Sequence, residues 1–221
     1  MQVFVAADVG AVCDLYEDLL GEEALERSGE AQLRLLADRL ADGHRDRRRG
    51  AFVELHNWHP RLGAECEAAI WSVDLGERDF LDTVARGHGY ASWDAVGSAR
   101  PAPPFEAALD AVLCGDLVAL DASLRADATI VRRRSHWGHG ATLLHYLAAN
   151  GVEIYRAVVP ANAADVARLL IDNGADVTSP ATLYGGGATT LGLLRTSGPP
   201  PGAERAVAAL DRVLVDAGAV D

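Results

Sequence analysis

Apolar positions recur three and four residues apart along most of this chain, the period of a helix with one buried face. Val9, Val12, Cys13, Leu15, Tyr16, Leu19 and Leu20 form one such stripe, and Leu25, Leu33, Leu36 and Leu40 form a second that ends at Gly43. A polar hinge, Arg45 to Gly50, then leads into a helix over 51–58 that must stop before Pro60. Three more short helices are expected over 64–71, 75–86 and 92–96, with Gly87-His-Gly89 closing one and Ser92 opening the next. Three prolines among residues 101–104 interrupt the pattern and mark a boundary between a helical module, 1–100, and a second region, 104–221.

The second region repeats itself. Thr142-Leu-Leu-His145-Tyr-Leu-Ala-Ala-Asn-Gly151 is followed by Ala164-Asp-Val-Ala-Arg-Leu-Leu-Ile-Asp-Asn-Gly174-Ala-Asp, and the same two-helix phrase returns over 189–198 and 209–220. A more degenerate copy covers 105–115 and 116–125. Three helix pairs suffice for a stack in which each buries the apolar face of its neighbour.

With Thr142, Leu144 and His145 in the T-P-L-H frame and Gly174-Ala-Asp closing the pair, residues 104–221 resemble bacterial ankyrin-repeat proteins. Residues 84–96, Val-Ala-Arg-Gly-His-Gly-Tyr-Ala-Ser-Trp-Asp-Ala-Val, are similar to a segment that precedes the repeats in a bacterial subgroup of that family; residues 1 to about 55 bring no family to mind. The resemblance implies an all-α solenoid with a binding face, and gives His145 the structural place of the repeat histidine.

Two of the three pairs are longer than a plain repeat. Between Gly151 and Gly174 there are about 11 extra residues, chiefly 152–162, and between Gly198 and Gly218 about 8, around Pro199-Pro-Pro-Gly. Insertions in solenoids form loops on one face, and such loops often bind. The connectors Arg132-Arg-Arg-Ser-His136-Trp137-Gly-His139 and Leu183-Tyr184-Gly-Gly-Gly187 occupy the place of the repeat fingers. His136, Trp137, His139, Tyr155, Tyr184 and Arg195 are therefore expected around one hollow, with Trp58 a further binding candidate; glycines 185–187 permit positive φ.

Composition narrows the chemistry. The chain carries 32 acids against 20 bases, all arginine, with a net charge of -12. The absence of lysine excludes Schiff-base, pyridoxal-phosphate and Walker-type sites, and the acidity argues against a nucleic-acid partner. No 18-residue apolar run suggests a membrane span, and no basic leader precedes the first helix. Cys13, Cys66 and Cys114 lack metal or disulfide spacing and read as free thiols of a cytoplasmic protein. His136/His139 and His56/His59 share HxxH spacing, but without a carboxylate or cysteine partner they do not define a metal site, and no signature asks for a cofactor. The arginine clusters 47–49 and 132–134 read as salt-bridge or hinge residues.

Two functions remain. One is a binding module that takes a protein or peptide on its concave face. The other is a cofactor-free acid/base enzyme of a biosynthetic pathway, with His136, His139, Glu153 and Tyr184 around a small molecule. A closed pocket favours the second; an open groove favours the first.

Overall fold

In the computed structural model, which describes residues 2–184 and 186–221, helices dominate and two short antiparallel strand pairs complete the fold. The first half holds strand β1 (Val3–Val5) and helices α1 (Ala7–Tyr16), α2 (Gly29–Arg45), α3 (Arg49–Trp58), α4 (Glu67–Ser72) and α5 (Glu77–Gly87). The second stripe is broken at its start: residues Glu22–Glu26 form a 3-10 turn, and α2 begins after Ser28, whose hydroxyl accepts the Ala31 N–H at 3.3 Å. Gly43 does not end α2. It lies inside the helix, with Leu15 packed where a side chain would project, and the chain turns only at 46–48. The helix expected over 92–96 is a single 3-10 turn, Trp93–Ala95. Its packing comes from the Trp93 N–H on Asp82 and the Arg78–Asp94 ion pair.

These helices bury Val12, Leu15, Leu33, Leu36, Leu40, Leu55, Ile70 and Val84 in one core. Residues from the second half also enter it: Trp137 is part of that core, and Ile154 and Tyr155 pack against it. In exchange, Phe4 packs against the core of the second half. The two regions thus interlock.

The second half contains α6 (Pro103–Cys114), α7 (Leu117–Ala126), α8 (Leu143–Tyr146), α9 (Ala163–Asp172), α10 (Thr190–Thr196) and α11 (Glu204–Asp216). Pro103 and Pro104 sit in the first turn of α6, where a missing N–H costs nothing. Helices α6, α8 and α10 contact one another in sequence, and α7, α9 and α11 form a second row behind them. Helix α8 is shorter than its sequence phrase, because the chain leaves it through Ala149 and Gly151 at positive φ. Gly174, with φ +94°, closes α9, and the Arg132 guanidinium bonds its carbonyl at 3.0 Å. The other arginines of that cluster are likewise structural. Arg133 pairs with Asp127, and Arg134 holds the Gly140 and Pro180 carbonyls.

The strands were not foreseen from the helical pattern. Within the insertion, β2 (Val158–Pro160) pairs with β1, Val3 opposite Pro160. Val-Phe-Val and Val-Val favour extended backbone, but only the distant partner gives them one. The finger around 181–188 is a hairpin, β3 (Ala181–Leu183) with β4 (Gly186–Ala188). Its positive φ falls on Tyr184, not on Gly186 or Gly187; Gly185 lies outside the described residues.

Candidate functional site at the junction

The junction is set by one close approach. Gly89, at the end of α5, meets the finger residue His139 so tightly that a Cβ would lie 2.2 Å from the His139 nitrogen. That nitrogen donates to the His88 carbonyl at 3.2 Å. His88 itself is buried, its Nδ1–H on the Val84 carbonyl at 2.7 Å and its Nε2 accepting the Tyr155 hydroxyl at 2.9 Å. Burial pushes its pKa down to about 4, so it stands neutral between the two halves.

Behind this contact lies a group of charges. Glu106 is on α6, Glu153 and Arg156 on the insertion, and His136 and His139 on the first finger. Arg156 bridges the carboxylates, with Nη2 2.7 Å from Glu106 Oε2 and Nη1 3.4 Å from Glu153 Oε1. The Tyr146 hydroxyl donates to the same Glu153 oxygen at 3.3 Å. Each carboxylate turns its other oxygen to an imidazole. Glu153 Oε2 is 3.5 Å from His139 Nε2, and Glu106 Oε1 is 3.6 Å from His136 Nδ1. Because the Ala141 N–H donates to His139 Nδ1 at 3.0 Å, the hydrogen of that ring faces Glu153. All four facing atoms are buried and lack a hydrogen-bond partner among the described residues. Such groups are costly to desolvate, which marks the group as more than packing.

Charge balance explains the protonation. Burial pushes the Glu153 carboxyl up, but His139 and Arg156 reverse this and hold it well below the usual carboxylate range. Arg156 loses solvation too, and Glu153 foremost among its neighbours holds it well above the ordinary guanidinium value. Tyr146 and Tyr155 are raised by burial and by Glu153, so both keep their protons.

The outer side of this group opens on a cavity of about 190 Å³. Glu106, Asp110, His136 and Arg156, with Arg27 and Gln32, line its polar wall, Leu20, Leu25 and Leu113 its apolar wall, and Trp137 and Tyr155 also border it. His136 lies 4.1 Å, centroid to centroid, from the Trp137 ring.

The sequence candidates therefore separate. His136, Trp137 and Tyr155 reach the cavity; His139 and Glu153 stand fully buried behind its wall. Tyr184 is elsewhere, stacked on Trp58 at 5.6 Å beside a second cavity of about 370 Å³ that Arg86 also borders. Arg195 pairs with Asp211 and Asp221 near the C-terminal end and takes no part. The single expected hollow is two: the fingers bond each other directly, the Thr182 N–H donating to the His139 carbonyl at 2.8 Å, and the first module packs against each of them, Gly89 on His139 and Trp58 on Tyr184. His145 bonds the Thr142 N–H through Nδ1 at 3.1 Å and caps α8. The two HxxH pairs serve different contacts: His56 stacks on Phe52, and His59 faces Asp79 at 3.3 Å. Among the described residues no three His, Cys, Asp or Glu side chains are grouped to hold a metal ion. All three cysteines are unpaired.

Glu106, Arg156 and His88 were missed from sequence. The available signal was Glu153-Ile-Tyr-Arg156, an acid and a base three apart in an insertion; Glu106 looks like any first-turn helix acid.

No protein-family model, curated protein or solved structure matches the chain. The site must be read from its own chemistry.

Proposed function

We propose that this chain is a bacterial ankyrin-type repeat protein whose fingers and first insertion, capped by its own N-terminal module, hold a small molecule. The two helix rows and the Thr142–His145 cap support the repeat reading. One observation carries the function: a bordered cavity lined by Glu106, whose side chain is 3% exposed, and His136, whose facing atoms stand 3.6 Å apart, buried and without a hydrogen-bond partner among the described residues. Most ligand sites combine apolar walls with a few convergent polar groups in this way. The occupant is a small molecule with an apolar body and a polar edge. The free thiols fit a reducing compartment, the cytoplasm, and among the described residues no helix is long and apolar enough to cross a membrane.

A Leu113→Trp variant tests this by filling the cavity from its apolar wall. Native mass spectrometry after incubation with a small-molecule library should give adducts with the wild type that the variant loses at unchanged melting temperature. Equal adducts on both proteins would sink the reading.

A protein or peptide partner is the second reading. The Trp58–Tyr184 stack favours it, since Tyr184 is 65% exposed in spite of its aromatic bulk. In that case Tyr184→Ser loses a co-purifying partner that Leu113→Trp retains.

A further inference from the structure

We propose that the cavity is a proton-transfer site, in which His136 is the general base, Glu106 its positioning residue and Arg156 the stabiliser of developing negative charge. This rests on the cavity being a ligand site. The chemistry follows from how one carboxylate is shared. Glu106 holds Arg156 through Oε2 at 2.7 Å and faces His136 Nδ1 with Oε1 at 3.6 Å. A base and a cation are thereby fixed to the same wall of one cavity. Glu153 braces Arg156 from the inner side. His136 Nδ1 faces the carboxylate, which leaves Nε2 to take a proton. Unliganded sites often hold such pairs slightly long, and a ligand tightens them.

The pairing selects a substrate class: a small carbonyl compound with an acidic C–H and an apolar body to lie against Leu20, Leu25 and Leu113. The C–H bond beside the carbonyl breaks, and its proton passes to His136 Nε2. Its electron pair forms a C=C bond while the carbonyl π pair moves onto the oxygen facing Arg156. Where the substrate carries a C=C bond beside that C–H, the anion is a dienolate, and return of the proton to its far (γ) carbon moves the double bond into conjugation and regenerates the carbonyl and the free base. The net reaction is an isomerisation that needs no oxidant and no cofactor.

The test uses 5-nitrobenzisoxazole, a planar carbon acid. Loss of its C3 proton to a base forms the nitrile as the N–O bond breaks, and the oxygen leaves as a coloured phenolate. Wild-type protein should release phenolate with saturation, faster than free imidazole at equal concentration. His136→Gln should lose about 100-fold of that rate, the usual size of a positioned base. Glu106→Gln should fall less and move the acidic limb of the pH profile to lower pH, because the imidazolium loses its carboxylate. If His136→Gln does not fold, His136→Phe, similar in volume, replaces it. The unreactive isostere 5-nitroindazole, followed by equilibrium dialysis, separates the two readings. Binding of 5-nitroindazole without turnover, or turnover unchanged in the His136 variant, overturns the base and leaves the cavity reading standing. No binding up to millimolar concentration overturns both.

Discussion

Glu54 in the first module and Glu153 at the junction are buried alike, 5% and 1% exposed, yet they hold opposite protonation states. Among the described residues Glu54 has no cation beside it, and burial pushes its pKa up to about 8. Glu153 has Arg156 at 3.4 Å and His139 at 3.5 Å and is held as the anion. Burial therefore does not decide charge in this molecule. A paired cation does, and for Glu153 it is Arg156 of the same insertion. One region stores a proton and the other stores a charge.

Removing the cation should make the second region resemble the first. Arg156→Met leaves Glu106 and Glu153 buried without their bridge and should cost about 3–5 kcal/mol at neutral pH, read by urea denaturation. Much of that loss should return near pH 5 as the carboxyls protonate. A variant as stable as wild type at pH 7 would show that the junction carboxylates reach water.

The Glu54 region gives a pH signature of its own. Its folded pKa lies above the unfolded value of 4.5, so between about pH 4.5 and 8 the unfolded chain has released the proton that the folded chain keeps. Stability from this group is complete below pH 4.5 and declines as pH rises, by up to about 1.4 kcal/mol per pH unit. Glu54→Gln should flatten that slope between pH 5 and 8. His88 works in the other direction. Its folded pKa is lowered to about 4, so its contribution is present above pH 6.5 and is lost as pH falls toward 4. An unchanged slope in Glu54→Gln would mean that Glu54 is ionised in the fold.

The smallest effect concerns the hydroxyl that supports Glu153. Tyr146→Phe removes one hydrogen bond of 3.3 Å and should cost about 1 kcal/mol, with the ionised state of Glu153 retained because Arg156 remains. A loss as large as that of Arg156→Met would shift the credit from the cation to the hydroxyl.

The contrast also shows what the amino-acid order reveals. Helical periodicity placed most helices of both halves within a few residues, because each buries its own stripe against a near neighbour. Glu54 and Glu106 were illegible. Each sits in an ordinary helical phrase, and its burial comes from a partner element packed against it, Arg156 being 50 positions from Glu106. His136, Trp137, His139, Glu153 and Tyr155 were named because fingers and an insertion departed from the repeat. Tyr184, Trp58 and Arg195 were named by the same departure or by residue type. Nothing local told that the first module would pack against both fingers and that Tyr184 would stack on Trp58 rather than face His136.

The β1–β2 pair has a kinetic consequence. Val3 meets Pro160 across a loop containing the whole first module and the first helix pair of the second half. Closing so long a loop costs entropy before its contacts repay it, so this pairing belongs to the last events of folding. The insertion that supplies Glu153, Tyr155 and Arg156 is anchored by that pairing. A nascent chain acquires its helices first and its polar wall last, and refolding followed by the environment of Trp137 should lag behind refolding followed by helix content.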